Sequence, residues 1–492
     1  MKYVLSIDQG TTGTKALVLD AKLAVRGRGM REFPQHFPRP GQVVHELEDI
    51  WRSVVHAIRA ALRSAGAKGG DIAAIGITNQ RETTAIWDRA TGAPAARAIV
   101  WQDRRTSDRC AALKEQGHEE AIRRRTGLVV DPYFSATKME WLLRHVKGAR
   151  ARARKGQLAL GTIDSFLVHR LSGGDSFVTD ASNASRTMLM DLARMRWDDE
   201  LLELFGVPRA ALPEIRGSSE VVGVTAGVPG LPDGIPIAGL AGDQQAALFG
   251  QGCFDVGDSK CTYGTGAFLL MNVGDRPVRS QAGLLSTVAW KLADGERAYA
   301  LEGSSFTAGA SVQWLRDGLG LIRRSADVEA LARSVEDSRG LVFVPALAGL
   351  GAPHWRPEAR GLLAGIDRGV NRGHVARAVL EGIALEIMDL ARAMEADAGR
   401  RISTFTVDGG ASANDLLLQI QADLLRVPVV RPRMVETTAL GAAFLAGLAV
   451  GFWPSKAALK KAARRDRVMR ARMSPKAREK LVAGWRDAVA KA

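Results

Sequence analysis

The sequence has few cysteines, and their arrangement argues against a disulfide framework. Cys110, Cys253 and Cys261 are the three among 492 residues, and none stands in the C-x-x-C spacing of a zinc or redox site. Because three thiols leave one over after any pairing, we expect reduced cysteines in a cytoplasmic protein. The few apolar residues after Lys2 are soon interrupted by Asp8, so we also expect no signal peptide.

The motifs of several large enzyme classes are missing as well. No G-x-x-x-x-G-K-[ST] string is present, which argues against a P-loop enzyme. No G-x-G-x-x-G follows a predicted strand, so we do not expect a Rossmann dinucleotide site. The sequence also lacks H-E-x-x-H and G-x-S-x-G, which argues against a zinc protease and a serine hydrolase.

Long hydrophobic runs are missing too. The longest apolar run, 439–453, has fifteen residues and consists mostly of Ala, Gly and Leu. A membrane-spanning helix needs about 20 consecutive apolar residues. We therefore expect a close-packed internal helix here and no membrane insertion.

Positive charge is concentrated at one end of the chain. The net charge is +15 at pH 7, and segment 451–492, with 13 basic and 3 acidic residues, contributes +10 of it. Its basic residues are interspersed with alanine at helical spacing: Lys460, Lys461, Arg464, Arg465, Arg467, Arg470 and Arg472. With few aromatics and no recognition motif, this pattern predicts a solvated basic helix and no nucleic-acid partner. An arm that binds nucleic acid or anionic lipid is the alternative.

Length and an internal repetition indicate two domains. A chain of 492 residues, 46% hydrophobic and 25% charged, is globular in composition and too long for one ordinary core. A strand, a Gly/Thr turn and a second strand are predicted around 11–14 and again around 262–266. We therefore predict duplicated domains at 1–250 and 251–453, followed by a basic helical extension at 454–492.

The predicted fold class is mixed α/β. Four apolar segments are predicted strands that each end in a polar cluster: 72–78, 98–100, 235–240 and 405–407. Helical patterns at 47–62 and 376–394 alternate with such strands. Polar clusters at strand ends are where open α/β sheets place their ligands.

The two Gly/Thr turns have the composition of a phosphate cradle. Glycine permits close backbone approach, and successive N–H groups in such a turn point inward. Asp8, beside the first turn, is a candidate for holding hydrated Mg²⁺, and Asp243, at a strand end, is a candidate general base for a substrate hydroxyl. Plain hairpins, and aspartates that bond their own backbone, are the alternatives.

Adjacent charges and scattered aromatics indicate the kind of substrate. Arg81 and Glu82 follow an apolar strand, and an arginine with a carboxylate matches vicinal hydroxyls, which both donate and accept. Trp101, Tyr133 and Phe268 could line the CH face of such a polyol. A salt-bridged surface turn and ordinary core aromatics are the alternatives. Together, the residues predict an ATP-dependent kinase that acts on a small polyol.

Strings along nearly the whole chain, from residue 3 to about 453, resemble the FGGY family of sugar kinases. The strings lie at 8–12 (DQGTT), 35–38, 76–84 (GITNQRETT), 100–105 (VWQDRR), 131–135, 183–187, 241–247 (AGDQQAA), 349–353 and 436–443 (ETTALGAA). Their number and their order make this a specific resemblance.

The resemblance implies two actin-like, ribonuclease-H-like domains with ATP bound between them. It also implies transfer of phosphate from ATP to glycerol, giving sn-glycerol 3-phosphate, with Asp243 as the general base and Mg²⁺ on the phosphates. Glycerol would be held by Arg81, Glu82, Trp101, Tyr133, Asp243, Gln244 and Phe268. The nucleotide would be held by Thr11, Thr12, Gly13, Lys15, Thr265, Gly309, Gln313, Gly410 and Asn414. Members of the family further imply a homo-oligomer, either a dimer or a tetramer.

The sequence departs from the family pattern in three places. The first turn ends in Gly13-Thr14-Lys15 where the family usually has Ser-Ser-Arg, and a lysine lacks the guanidinium fork for phosphate. Cys261 replaces an asparagine. Gly234 stands where some bacterial members have an arginine that helps to bind fructose 1,6-bisphosphate, so we predict no inhibition by that compound through this site.

Two other functions stay open on sequence alone. An FGGY kinase for another sugar, such as a pentulose or a tetritol, would share the fold and the ATP site, although Arg81 and Glu82 together with the string Asp131-Pro132-Tyr133 favour glycerol. An actin- or chaperone-like ATPase would also share the fold, because fold does not determine function. Such an ATPase would hydrolyse ATP without forming a phosphorylated polyol.

Overall fold

The structure, a computed structural model, describes residues 2–462 and 465–492. In the first half the strands are β1 (Tyr3–Gln9), β2 (Gly13–Leu19), β3 (Val25–Glu32), β4 (Val44–His45), β5 (Ile72–Asn79), β6 (Thr84–Asp88), β7 (Ala98–Ile99), β8 (Leu158–Thr162), β9 (Val178–Asp180), β10 (Met190–Asp191), β11 (Arg196–Trp197), β12 (Glu214–Arg216), β13 (Ser219–Val224) and β14 (Pro236–Gly242). The helices are α1 (Leu47–Ala65), α2 (Ser107–Glu115), α3 (Glu119–Thr126), α4 (Ser135–His145), α5 (Ala149–Arg154), α6 (Ile163–Leu171), α7 (Ala181–Ala184), α8 (Asp199–Phe205) and α9 (Asp243–Gly250).

In the second half the strands are β15 (Asp258–Tyr263), β16 (Ala267–Gly274), β17 (Leu285–Lys291), β18 (Arg297–Ser305), β19 (Val342–Val344), β20 (Leu362–Ala364), β21 (Thr404–Asp408), β22 (Val429–Pro432) and β23 (Arg465–Met469). The helices are α10 (Gly309–Gln313), α11 (Asp327–Ala332), α12 (Arg372–Ala398), α13 (Asp415–Leu425), α14 (Thr437–Ala449), α15 (Lys456–Ala462) and α16 (Pro475–Lys491). Mixed helices and strands confirm the predicted α/β class.

A six-stranded sheet with the order β13-β14-β5-β1-β2-β3 forms the centre of the first half. β1 and β2 make the predicted antiparallel hairpin, with Gln9 opposite Thr14. β5 and β14 run parallel to β1, so that Asp8, Thr78 and Ala241 lie side by side. The carboxyl ends of these three strands therefore open at one edge of the sheet.

The second half repeats this arrangement in a seven-stranded sheet, β17-β18-β16-β15-β21-β22-β23. β15 and β16 form an antiparallel hairpin, and β21 and β22 continue parallel to β15, with Thr262 beside Asp408. Both halves thus contain an antiparallel three-strand meander followed by two parallel strands, which is the actin-like, ribonuclease-H-like order. The predicted duplication is confirmed.

Helix α14 comes after strand β22 of the second sheet in sequence but packs on the first sheet and on α9. The approach is close because small residues meet: a Cβ at Gly76 of β5 would lie 2.0 Å from the carbonyl oxygen of Ala442. Thr437 and residues 439–447 are buried. The Ala- and Gly-rich run is therefore a buried internal helix as predicted, although α14 ends at Ala449.

Within the described ranges, no helix combines the length and the apolar content needed to cross a membrane.

The C-terminal segment is the predicted solvated basic helix only in part: Lys460 and Lys461 lie exposed in α15, but Arg465 and Arg467 lie in a strand. Strand β23 pairs antiparallel with β22 and extends the second sheet. Helix α16 buries Trp485, whose indole N–H donates to Asp389 Oδ2 at 2.7 Å. Val482, Trp485 and Val489 form an apolar side at helical spacing, and the many charges around them concealed this amphipathic pattern. Arg464, counted with the basic residues, lies outside the described residues.

Candidate active site

Two aspartates lie where the parallel strands of the first sheet end. Asp8 is close to the end of β1, and Asp243 is the first residue of α9, directly after β14. Burial raises the pKa of Asp8 from 3.8 to about 6; Lys15 opposes this effect, and the negative charge of Asp243 adds to it. The Asp243 side chain is 35% exposed. The two carboxyl groups are therefore near neighbours at the edge of the first sheet where β1 and β14 end; this edge is called the opening below.

Arg81 and Glu82 belong to a buried cluster of four charged side chains. Both terminal nitrogens of Arg81 donate to Glu302 of β18, at 2.5 and 3.0 Å. Arg186 donates from Nε to Glu82 at 2.7 Å and from Nη2 to Glu302 at 3.0 Å. At most 3% of each of these side chains is exposed. The alternative of an exposed, salt-bridged surface turn is wrong.

The alternation of charges in this cluster makes its burial possible, because a buried charge is tolerated only when it is paired. Burial alone would raise the pKa of Glu302, but Arg186 and Arg81 lower it to about 2. Glu302 comes from the second half and the other three residues from the first, so the cluster joins the halves. Glu82 itself has a φ of 59°, a left-handed conformation that is uncommon for residues other than glycine.

Arg81 connects this cluster to Asp243. Its Nε lies 3.1 Å from Oδ1 of Asp243, which is ion-pair distance. Its Nη1 also donates to Gln245 at 3.3 Å. A Cβ at Gly242 would lie 2.7 Å from the Arg81 side chain, so glycine is required for this approach. Arg81 therefore fixes the position of the Asp243 carboxylate.

Trp101 and Tyr133 form an aromatic wall at the opening. Both rings are partly exposed and meet edge to face, with centroids 5.7 Å apart. Trp101 Nε1 donates to Thr11 Oγ1 at 2.9 Å, which ties the wall to the first Gly/Thr turn. Buried Lys138 supports Tyr133 by donating to its backbone carbonyl at 2.5 Å. Phe268, on β16 of the second half, is also partly exposed.

The first Gly/Thr turn is closed by a hydrogen bond from the Gly10 N–H to the Gly13 carbonyl at 2.9 Å. Gly13 has no room for a side chain, because a Cβ would lie 2.9 Å from the carbonyl oxygen of Arg31. Thr12 and Lys15 are exposed. A hydroxyl and an ammonium group are thus available beside Asp8.

The second Gly/Thr turn packs against the start of α10. The Gly309 N–H donates to the Gly264 carbonyl at 2.9 Å, and the Ala310 N–H donates to the Thr265 carbonyl at 3.0 Å. A Cβ at Gly309 would lie 2.5 Å from that Gly264 oxygen. Thr265 of the turn and Gly309 of α10 are therefore adjacent on the surface of the second half.

The loop after β21 touches the same hairpin. Gly409 has a φ of 84°, and a Cβ there would lie 2.4 Å from the carbonyl oxygen of Tyr263. Gly410 is exposed directly after it, as is Gln313 at the end of α10. The Asn414 side chain caps α13 by accepting from the Leu417 N–H at 2.9 Å. Asn414 thus has a local structural task beside the nucleotide role that the resemblance implies.

A hydrogen-bonded chain joins the two halves next to Asp243. Lys260 of β15 is buried, and its ammonium donates to Oε1 of Gln244 and, at 2.9 Å, to Oγ1 of Thr262. Because Gln244 follows Asp243 and Thr262 begins the second Gly/Thr turn, this chain brings the candidate base and the second turn together.

The sequence interpretation missed Arg186, Glu302 and Lys260. Arg186 stands in one of the family strings but received no role. Glu302 is a single acidic residue in an otherwise mostly apolar strand, and this was a usable signal because a buried charge needs a partner. Its partners could not be named, since Arg81 is 221 residues away along the chain and Arg186 is 116.

Asp8 is the predicted metal ligand. In the part of the chain that the structure describes, no three His, Cys, Asp or Glu side chains converge as a metal site would need. Mg²⁺ on a nucleotide usually takes one or two carboxylates, with phosphates and waters as the other ligands. Asp8 fits such a partial site, because its burial beside a second carboxylate disfavours its charge and a cation would compensate for this.

The duplicated halves around this opening define the class of two-domain sugar kinases. Residues 3–250 match the FGGY family of carbohydrate kinases, N-terminal domain, and residues 259–450 match the C-terminal domain. The chain belongs to the FGGY family of carbohydrate kinases.

Relatives match the chain over its full length. A glycerol kinase of Myxococcus xanthus is 62% identical, covering 100% of this chain and 99% of the relative. A glycerol kinase of Deinococcus radiodurans is 54% identical, covering 100% and 97%. The structure is similar to the crystal structure of Plasmodium falciparum glycerol kinase with ADP, at a TM-score of 0.95 and 35% identity, covering 100% of this chain and 98% of that one.

Proposed function

We propose that the protein is a glycerol kinase, which transfers the γ-phosphoryl group of ATP to glycerol and forms sn-glycerol 3-phosphate. The observation that carries the proposal is the placement of Asp243. Its partly exposed carboxylate lies against Arg81 and is joined through Gln244 and Lys260 to the second Gly/Thr turn. Full-length similarity to glycerol kinases supports the choice of substrate.

In this proposal the first half provides most of the contacts to the polyol. Arg81 and Glu82 present donors and acceptors to neighbouring hydroxyls, and Gln244 adds an amide. Burial raises the pKa of Tyr133, so its neutral hydroxyl can also donate. Trp101 and Phe268 supply apolar surface for the CH groups.

Asp243 acts as the general base. Its carboxylate accepts the proton of the terminal hydroxyl as that oxygen forms a bond to the γ-phosphorus, while the bond from phosphorus to the ADP oxygen breaks. The products are sn-glycerol 3-phosphate and ADP, and the proton leaves through Asp243. Holding both reactants in line provides much of the rate, because little other chemistry is required of the protein.

ATP lies between the two Gly/Thr turns in this proposal. Thr11, Thr12, Gly13 and Lys15 approach the phosphates from the first half, and Thr265 approaches them from the second. The exposed surface of Gly309, Gln313, Gly410 and Asn414 takes the rest of the nucleotide. Asp8 would hold Mg²⁺, which when bound neutralises charge on the phosphates.

The test is the mass of the product formed by the isolated protein from ATP and glycerol. We expect one added phosphoryl group on glycerol and stoichiometric ADP. Parallel assays with erythritol, xylulose and ribulose separate glycerol from other substrates of the class. A clearly higher kcat/KM for a sugar would overturn the glycerol assignment, and ATP hydrolysis without a phosphorylated product would indicate an ATPase.

We also propose that the enzyme acts in the cytoplasm as a homo-oligomer of two or four copies. Family resemblance motivates the oligomer, and the three buried free thiols accord with a reducing compartment. Sedimentation equilibrium of the purified protein would test the oligomer, and a single species at the mass of one chain would refute it.

A further inference from the structure

We propose that Lys260 is a positioning residue of the transfer site, which orients the Gln244 amide toward the substrate and places a positive charge near Asp243. The inference rests on the proposed function, because that function assigns Gln244 to the polyol and Asp243 to proton removal. It adds a residue of the second half to a substrate site otherwise built mainly by the first.

The alternation of side chains along β15 explains why Lys260 faces the first half. Cys261 and Tyr263 point into the apolar core of the second half and are completely buried there. Lys260 and Thr262 therefore point to the opposite side of the sheet, since successive strand residues alternate. On that side Lys260 meets Gln244, the second residue of α9.

The hydrogen bonds of Lys260 fix which end of the Gln244 amide faces the substrate. An ammonium has donors only, so it holds Oε1 of Gln244 and turns Nε2 away from itself. Within the described residues, this Nε2 makes no hydrogen bond to the protein, and Gln244 is partly exposed. Nε2 is thus left as a donor for a hydroxyl oxygen of the substrate. Without Lys260 the amide could rotate freely.

The positive charge of Lys260 is balanced by nearby negative charge less fully than a purely structural buried lysine would require. Both of its hydrogen-bond acceptors are neutral oxygens. Burial lowers its pKa, Asp408 and Asp243 act in the opposite direction, and Arg81 adds to the lowering. One oxygen of Asp408 is already engaged by Thr437 and Gln251. Among the described residues, no carboxylate lies within ion-pair distance of the Lys260 ammonium, so its charge acts at longer range, on Asp408 and on Asp243.

A double-mutant cycle tests the coupling between the two residues. Lys260→Met removes the charge and the donor at similar length, and Gln244→Leu removes the amide. We expect each single variant to raise KM for glycerol by about tenfold, while the double variant adds little more, because both changes disrupt the same contact. If KM for glycerol in the double variant rises by the product of the two single increases, Lys260 does not orient Gln244 and this role is overturned.

The pH profile provides a readout that a merely structural lysine would not change. Loss of a nearby positive charge makes the ionised Asp243 carboxylate less favourable relative to its protonated form. The acidic limb of the pH profile of kcat/KM should therefore move to higher pH, by about half a pH unit or more, in Lys260→Met. Gln244→Leu should leave that limb in place. An unmoved limb in Lys260→Met would contradict the electrostatic part of the proposal.

Lys460→Met is the matched control, because Lys460 forms ion pairs with Asp258, the first residue of the same strand, and with Asp255 just before it. It should retain the wild-type KM and pH profile. If Lys260→Met does not fold, Lys260→Gln carries the same measurements; failure of both to fold beside a well-folded Gln244→Leu would assign Lys260 a structural role and overturn the proposal. If the wild type phosphorylates another sugar instead, the cycle is measured with that sugar, which separates this inference from the glycerol assignment.

Discussion

Gly441 and Ala246 bring helices α14 and α9 into backbone contact. A Cβ at Gly441 would lie 1.8 Å from the carbonyl oxygen of Ala246. Helix α9 ends the first half and α14 lies between strands β22 and β23 of the second sheet in sequence, so this contact lies where the two halves join. Only glycine at position 441 allows the helices to pack this closely.

Gly441→Ala should therefore separate the two helices. Forcing a methyl group into a packed interface costs about 1–3 kcal/mol or more, because backbone must shift. We expect a lower midpoint in urea unfolding and a lower kcat, since the halves would meet less closely. Gly70→Ala is the control, because a Cβ at Gly70 has no neighbour within 4 Å. Equal unfolding midpoints for the two variants would contradict the proposed contact.

Asp243→Asn should abolish most of the turnover with little loss of glycerol binding. The amide keeps the shape of the side chain but cannot accept the substrate proton, and general-base catalysis contributes roughly 10²–10⁴-fold. Steady-state kinetics at saturating ATP would show a reduced kcat with KM changed much less. Asp199→Asn, at an exposed surface aspartate, serves as the control. Near-normal turnover in Asp243→Asn would remove Asp243 from the role of base.

Glu302→Gln should destabilise the protein and weaken glycerol binding together. It removes one of the two carboxylates that pair with Arg81 and Arg186, and breaking a buried ion pair costs about 3–5 kcal/mol. KM for glycerol should rise, because Arg81 also positions Asp243. Urea unfolding and KM measure the two effects. Glu200→Gln, which removes an exposed partner of Arg125, should cost about 1 kcal/mol or less; similar losses in both variants would argue against the buried cluster.

Glu386→Gln should stabilise the protein at neutral and alkaline pH. Burial raises the pKa of Glu386 from 4.5 to about 8, so the folded state retains a proton that the unfolded state releases. This group's contribution is fully present below pH 4.5 and is lost as the pH rises to about 8. Gln cannot ionise and can still accept from the Ser305 hydroxyl, as Glu386 does at 2.8 Å. The difference between the free energies of unfolding at pH 6 and pH 8.5 should be smaller in the variant than in the wild type. An unchanged difference would disprove the assigned role of Glu386.

The hairpins and the buried internal helix were predictable because each has a local signal. Apolar residues flank the Gly/Thr turns of β1–β2 and β15–β16, and a hairpin needs only neighbouring residues to pair. The Ala- and Gly-rich run that became α14 has no polar face, which indicates burial on all sides. Repetition of the same hairpin in both halves then predicted the duplicated fold.

Residues that depend on distant partners were not predictable in the same way. The position of Glu302 is set by arginines from the other half, and no local pattern records that pairing. Strand β23 was hidden for a related reason: its side chains Arg465 and Arg467 are exposed and charged, so its place at a sheet edge depends on pairing with β22 and not on composition. Burial of Trp485 depends in the same way on the Asp389 acceptor.

The position of α14 sets the order in which the protein can mature during synthesis. Strands β1, β5 and β14 leave the ribosome early, yet the helix that covers one face of their sheet is made only when the chain is nearly finished. Until then that face of the first half has no partner and exposes apolar surface. The first half therefore cannot complete its folding before the second half is made. The nascent chain must avoid aggregation until α14 packs on the first sheet.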